Sequence, residues 1–311
     1  MKLIIQPEHG LGTLVQAVKR ATRTIDLVIF RFDRDVLEKA LASAVQRGVT
    51  VRALIAHTNN GGEKLLRKLE QRMLESGVTV ARSADDLPRY HGKVTIIDDT
   101  LYVLGFNYTR QDIERSRSFG IVTRNTRLVK EATALFEADR TRQLFTPAHP
   151  HLVVSPENSR EQLTKFIAAA RKELLIYDER ITDKILLRVI NERIAAGVSV
   201  RVIGKPARLI KAARHLDARK LADLRLHVRA IVRDGRSFFV GSQSLCKLEL
   251  DGRREIGVIV NDVRIARQAK TVFEADWALA APKDEKKKEG AEADDAGKSV
   301  AKAAILSAAA G

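Results

Sequence analysis

A short stretch of this chain occurs twice, and that duplication constrains the fold more than any other feature. His91-Gly-Lys93 is followed, after four intervening residues, by Asp98 and then by Gly105; His227-Val-Arg229 is followed at the same spacing by Asp234 and Gly241. The flanks repeat as well. Leu3-Ile-Ile-Gln-Pro7-Glu8 matches Leu152-Val-Val-Ser-Pro156-Glu157, and Arg47-Gly-Val-Thr-Val51-Arg52 matches Ala196-Gly-Val-Ser-Val200-Arg201, both at an offset of 149. Phe136-Glu-Ala-Asp139 returns as Phe273-Glu-Ala-Asp276 at an offset of 137, which places about a dozen extra residues in the first half, between Asn59 and Tyr90. A repeat this long means two copies of one structural unit.

Each copy reads as α/β. A strand stopped by proline (Leu3–Ile5, Leu152–Val154) leads to a helix of period 3.6, with Leu14, Val15 and Val18 on its apolar face. A buried apolar strand follows (Ile25–Phe30, Leu174–Tyr177), then a helix from Val36 to Gln46 that stops at Gly48, then a β-branched strand. Strand and helix alternating at these lengths predict a largely parallel sheet. Each motif falls on a hairpin: Lys93–Ile97 and Leu101–Leu104 around Asp98-Asp99-Thr100, and Val228–Val232 and Phe238–Val240 around Asp234-Gly235. Gly105 and Gly241 are expected to serve tight turns. Asn59-Asn-Gly-Gly62 reads as a flexible loop, with no Gly-Lys-Ser/Thr after it. The boundaries expected are 1–148 and 149–281 for two domains, each with its own core, and 282–311 for a disordered charged and Ala-rich tail.

The formal charge of +16 sits on the folded body, because the tail carries six lysines against six acids. A field of that sign favours polyanions, either an anionic lipid surface or nucleic acid, or else phosphorylated metabolites. Aromatics are 5% and form no stripe for stacking bases, so sequence-specific nucleic-acid binding is not indicated. One cysteine, Cys246, excludes an intrachain disulfide. No secretory signal and no transmembrane segment is read, so a cytoplasmic protein is expected. Oligomeric state is not legible.

Two histidines with a cation two places on suit phosphodiester chemistry. Imidazole titrates near neutrality, so one neutral ring can attack phosphorus while one protonated ring supplies the leaving oxygen with its proton. Residues two apart on a strand share a face, so His91 with Lys93, and His227 with Arg229, can address one phosphate. This scheme requires neither a metal nor a cofactor.

The duplicated His-x-Lys/Arg-x4-Asp motif resembles that of the phospholipase D superfamily. Arg89-Tyr90-His91-Gly-Lys93 through Gly105-Phe-Asn107-Tyr-Thr and Ser116-Arg-Ser-Phe119 is similar to a soluble bacterial branch of it. The resemblance covers roughly residues 1–280. It implies two similar α/β domains around a pseudo-twofold axis, both motifs meeting in one cleft, and a phosphohistidine intermediate. It assigns catalysis to His91, Lys93, Asp98, His227, Arg229 and Asp234, with a structural role in the turn equally open to Asp98 and Asp234, and leaves Asn107, Ser244, Glu255, Arg31 and Arg180 as candidates for binding substrate. The chain departs from the family pattern in several places: Arg229 stands for lysine, the Gly-Ser-x-Asn turns are altered to Gly105-Phe-Asn107 and Gly241-Ser-Gln-Ser244, and Glu255 has Ser118 as its repeat partner. His91, in the intact motif, is the preferred nucleophile and His227 the preferred acid, although the order is reversible at this level. Phospholipid hydrolysis or headgroup transfer, nonspecific cleavage of nucleic acid, and a non-catalytic phosphate-binding module all remain open.

Overall fold

The structure, a computed structural model, describes residues 1–58, 63–206, 217–221 and 223–282. The first half runs β1 (Lys2–Gln6), α1 (Gly12–Arg20), β2 (Thr24–Ile29), α2 (Asp35–Gln46), β3 (Thr50–Ile55), α3 (Glu63–Glu75), β4 (Thr79–Arg82), β5 (Val94–Ile97), β6 (Thr100–Leu104), α4 (Arg110–Glu114), β7 (Ser116–Thr123) and α5 (Thr126–Thr141). The second runs β8 (Leu152–Ser155), α6 (Ser159–Ala168), β9 (Glu173–Ile181), α7 (Lys184–Ala195), β10 (Ser199–Pro206), β11 (Asp217–Lys220), β12 (Arg225–Leu226), β13 (Arg229–Arg233), β14 (Ser237–Gly241), α8 (Lys247–Asp251), β15 (Glu255–Val260), α9 (Val263–Leu279) and β16 (Ala281–Pro282).

The repeat produces two sheets of the same order, β1-β7-β6-β5-β2-β3-β4 and β8-β15-β14-β13-β9-β10-β11, with β16 added beyond β11. Parallel pairing within each of these paths is confined to β2-β3-β4 and β9-β10-β11, and the other pairings are antiparallel. The expectation of a largely parallel sheet is therefore corrected. Crossover helices force parallel neighbours only where they intervene, whereas the motif hairpin and the strand after it return directly. Local signals set the element ends: Gly48 takes φ +85 just past α2, and Asp183 caps α7 by accepting from the Ile185 and Leu186 amides.

Each half has a core of its own, and a further core is shared between them. Helices α1–α3 and α6–α7 cover the outer face of their own sheets. The inner faces bury Val94, Val103 and Phe119 of one half with Val154, Phe238 and Ile256 of the other, under α5 and α9, in one continuous cluster. A sheet with an apolar second face has to bury it, and here each half buries it against the other. Phe119 meets Tyr177 edge-on at 5.5 Å and Phe238 at 5.7 Å across that seam. No helix among the described residues is long and apolar enough to cross a membrane. The loop 59–62 and the expected tail lie outside the described residues, except for Pro282, which pairs with Arg219 at the sheet edge.

Candidate active site

The halves exchange the segments that lead into their motifs. His91 and Gly92 amides donate to Arg254 O at 2.7 and 3.1 Å, and the Arg254 amide donates to Arg89 O at 2.9 Å. Reciprocally, β12 lies parallel to β7, with the Arg225 amide on Arg115 O at 3.0 Å and the His227 amide on Arg117 O at 3.3 Å. The motif glycines meet at the same seam. A Cβ on Gly105 would lie 2.9 Å from Phe119 O and 3.4 Å from Gly241 O, and one on Gly241 would lie 2.7 Å from Gly257 Cα. Neither glycine has a positive φ, so close approach of backbones, rather than the tight turn expected, requires them.

Paired clamps fix this arrangement. Arg117 binds Asp276 of the second half (2.8 and 3.0 Å) and Glu8 of the first, and Tyr177 donates to the same Asp276 at 2.6 Å. Arg254 binds Asp139 of the first half at 3.0 Å and Glu157 of the second, and Tyr90 donates to Asp139 at 2.6 Å. The duplicated Pro-Glu and Phe-Glu-Ala-Asp stretches thus supply the acids of a reciprocal lock between the halves.

At the seam His91, Lys93, His227 and Arg229 are all buried. His91 Nδ1 lies 2.8 Å from Glu255 Oε2, contributed by the other half. His227 Nδ1 lies 3.3 Å from Asp112 Oδ2, again from the other half, at an angle too oblique for a full hydrogen bond. Lys93 Nζ donates to His91 O at 2.5 Å and sits 5.4 Å from the centre of the Phe30 ring, which also meets His91 edge-on at 4.6 Å. Arg229 Nε donates to Ser244 Oγ at 3.0 Å, Nη2 lies 3.4 Å from Glu179 Oε2, and Nη1 is buried without a partner. Phe30 and Glu179 are repeat equivalents at the offset of 149.

Electrostatics tie the two motifs into one place. Burial first, then the charges of Lys93 and Arg229, hold His91 well below the usual histidine range. Burial, then Arg229, Arg225, Lys93 and His91, do the same to His227. Burial pushes Lys93 down to about 7 and Glu255 up to about 7. Burial would lower Arg229 too, but Glu249, Glu179, Asp178 and Glu255 outweigh it and hold the guanidinium above its ordinary value. The site therefore combines two neutral rings with one firmly charged guanidinium and one ammonium near its titration point. Charge of that kind suits an anion.

Two motif residues are elsewhere. Asp98 and Asp234 take φ +48 and +54 in the hairpin turns, five residues and thus roughly 16 Å of strand away from Lys93 and Arg229. Asp98 accepts from the amides of Thr22, Arg23 and Thr24, and Asp234 from those of Arg171, Lys172 and Glu173. Burial raises both carboxyls, but these amides outweigh it and hold them below the usual range. Of the two roles the sequence leaves open for them, orienting the site or holding the turn, these contacts are those of a brace against the start of β2 or β9.

The binding candidates divide. Glu255 joins the site directly. Ser244 lines, with Arg229, Arg180, Lys205, Lys220 and Arg225, a cavity of about 750 Å³ whose apolar wall is Leu221, Leu224 and Leu226. Asn107 is buried, with its amide and Nδ2 on Asp112 Oδ2 at 2.9 and 2.6 Å and its Oδ1 unpartnered. Arg31 does not line that cavity and lies beside Phe30 at 5.8 Å from the ring centre. Sequence reasoning missed Asp112 and the clamp residues. The clamp acids carried a usable signal, being repeated; Asp112 carried none, because its counterpart Glu249 differs in length and partners. Among the described residues no group of three or more His, Cys, Asp or Glu could hold a metal ion.

A model of the cardiolipin synthase, PLD-like domain matches residues 14–140 and, a second time, residues 163–277. The chain belongs to the phospholipase D-like family. Mitochondrial cardiolipin hydrolase of Mus musculus is 29% identical over 150 residues, covering 45% of this chain and 64% of that protein. The Homo sapiens protein of that name is 30% identical over 146 residues, covering 45% and 54%. The chain thus spans less than two thirds of the length of these curated relatives. The polyphosphate kinase of Porphyromonas gingivalis has the same fold over 88% of this chain and 46% of its own, at a TM-score of 0.74 and 20% identity. This phospholipase D-like chain also shares its fold with the phosphatidylserine synthase of Haemophilus influenzae Rd KW20, at a TM-score of 0.65 and 12% identity, over 89% and 85% of the two chains.

Proposed function

We propose that the chain is a metal-independent phosphodiesterase or phosphatidyltransferase, acting on a phospholipid or a related phosphodiester through a phosphohistidine. The observation that carries this reading is the bond between His91 Nδ1 and the buried Glu255 carboxylate. It gives Nδ1 the proton and leaves the Nε2 lone pair free for phosphorus. In the first step the Nε2–P bond forms and the P–O bond to the leaving alcohol breaks, and that oxygen takes a proton from His227. In the second step water or an acceptor alcohol gives its proton back to His227 and its oxygen to phosphorus, and the N–P bond breaks. Lys93 and Arg229 hold the phosphate oxygens in both steps. The anion of the substrate offsets their repulsion of a protonated His227, so His227 gains its proton when the site fills. The cavity beside Arg229, with its leucine wall and cations, suits a headgroup or acceptor. The cardiolipin synthase-type domain and the similarity to cardiolipin hydrolases favour phospholipid.

Nucleic acid is the second reading, favoured by the charge of +16. A cytoplasmic enzyme working at a lipid surface or on a soluble diester fits the proposal. Turnover of phospholipid vesicles, bis(4-nitrophenyl) phosphate and single-stranded DNA, each in EDTA, tests it. We expect turnover that survives EDTA and an acid-labile phosphoryl adduct on His91 that His91→Ala abolishes. His227→Ala should slow phospholipid cleavage by roughly 10²- to 10⁴-fold but spare nitrophenolate release, which needs little protonation. Absence of both turnover and adduct in the wild type would favour a non-catalytic phosphate-binding module.

A further inference from the structure

By the repeat, both histidines should draw a carboxylate from the same position of the opposite half. They do not. Glu255 serves His91, while its counterpart Ser118 reaches only the main chain, donating from Oγ to His227 O at 3.0 Å. The acid beside the His227 ring is Asp112, six residues earlier and 3% exposed. Asp112 Oδ2 accepts from Asn107 N and Nδ2, and Oδ1 accepts from Arg225 Nη1 at 2.7 Å. Its counterpart Glu249 does only part of this: Oε2 accepts from Ser244 N at 2.7 Å, and Oε1 pairs with Arg253 at 3.0 Å and Arg180 at 3.5 Å. Both acids brace the turn after the motif and both carry their charge toward the opposite histidine, but of the two Asp112 alone comes within ion-pair distance of the ring, at 3.3 Å.

We propose that Asp112 is the positioning residue for His227, a carboxylate relocated from the site where Ser118 now stands. The proposal rests on the reading of His227 as the proton donor. Oδ2 is already shared between two Asn107 donors, so its contact with Nδ1 is looser than the 2.8 Å bond that holds His91. A neutral nucleophile needs a fixed tautomer, and a strong bond supplies it. A proton donor needs a partner that favours its charged form without a fixed angle, and a nearby carboxylate supplies that. The charges facing His227 are Arg225 and Arg229 from its own segment, His91 and Lys93 from the other motif, and Asp112 from α4. Asp112 is the negative member of that set at the ring.

The test is an NMR titration of the histidine rings, run beside turnover, in the wild type, Asp112→Asn, and Asp112→Asn with Ser118→Glu. In Asp112→Asn the His227 midpoint should fall by about one pH unit while that of His91 holds. The kcat for a poor leaving group should fall roughly 10- to 100-fold with little change in KM. Ser118→Glu should restore both. In the wild type the Asp112 carboxyl resonance should move at the pH where the His227 ring titrates, a readout independent of whether any variant folds. An Asp112 resonance indifferent to that titration, or an unmoved His227 midpoint in folded Asp112→Asn, overturns the proposal. A wild type that turns over no phosphodiester removes the reading on which it rests. An active wild type with an unmoved midpoint removes the proposal alone.

Discussion

His91 and His227 come from copies of one motif, yet the ground beneath them differs. His91 sits against the Phe30 ring, beside an ammonium that burial brings to about 7, on a carboxylate at 2.8 Å. His227 sits beside a guanidinium that stays charged, in a region where Glu179 replaces the aromatic ring and a cavity opens. The scaffold has stayed symmetric: sheet order, exchanged segments and arginine clamps repeat closely. At the seam, divergence falls on the groups that touch the two histidines. Duplication supplied two copies of a platform, and the chemistry distinguishes them.

The largest expected effect tests the symmetric part. Arg117→Met leaves the buried Asp276 with the Tyr177 hydroxyl but no counter-charge, and Arg254→Met leaves Asp139 with the Tyr90 hydroxyl alone in the same way. Each should cost about 3–5 kcal/mol in urea unfolding. A cost below about 1 kcal/mol for one of them would break the equivalence of the clamps. The next tests the asymmetric part. Activity on bis(4-nitrophenyl) phosphate, read as kcat/KM, should rise as Glu255 ionises and fall as Lys93 loses its proton, both near pH 7. Lys93→Arg keeps its charge and should extend the alkaline limb by at least about one pH unit. An unmoved limb would mean that Lys93 is not the group responsible. The smallest effect concerns the turns: Asp98→Asn and Asp234→Asn should each cost about 1–2 kcal/mol of stability and leave turnover within about twofold. A large loss of kcat in either would return that aspartate to the chemistry.

The duplication, the motif hairpins and the strand positions were legible because they are carried by local period and repeated spacing. The pairing direction was misread, since helices between some strands say nothing of strands that return without one. Asp98 and Asp234 were left between two roles because a motif letter at a fixed distance marks equally well a catalytic group and a turn that must always close the same way. Glu255 was found from its place after the second motif. Asp112 could not be found that way: the sequence shows that Ser118 lacks a carboxylate, but only the fold shows that Asp112 of α4 lies 3.3 Å from the His227 ring.

The exchanged lead-in segments bear on how this protein is made. Arg89–His91 rests on Arg254, and residues 225–227 rest on 115–117. A first half leaving the ribosome alone carries His91 with no Glu255 beneath it and with its supporting strand not yet synthesised. Its motif lacks the carboxylate that the second half sets against the His91 ring. On the proposed mechanism, competence belongs to the closed pair of halves rather than to either half by itself.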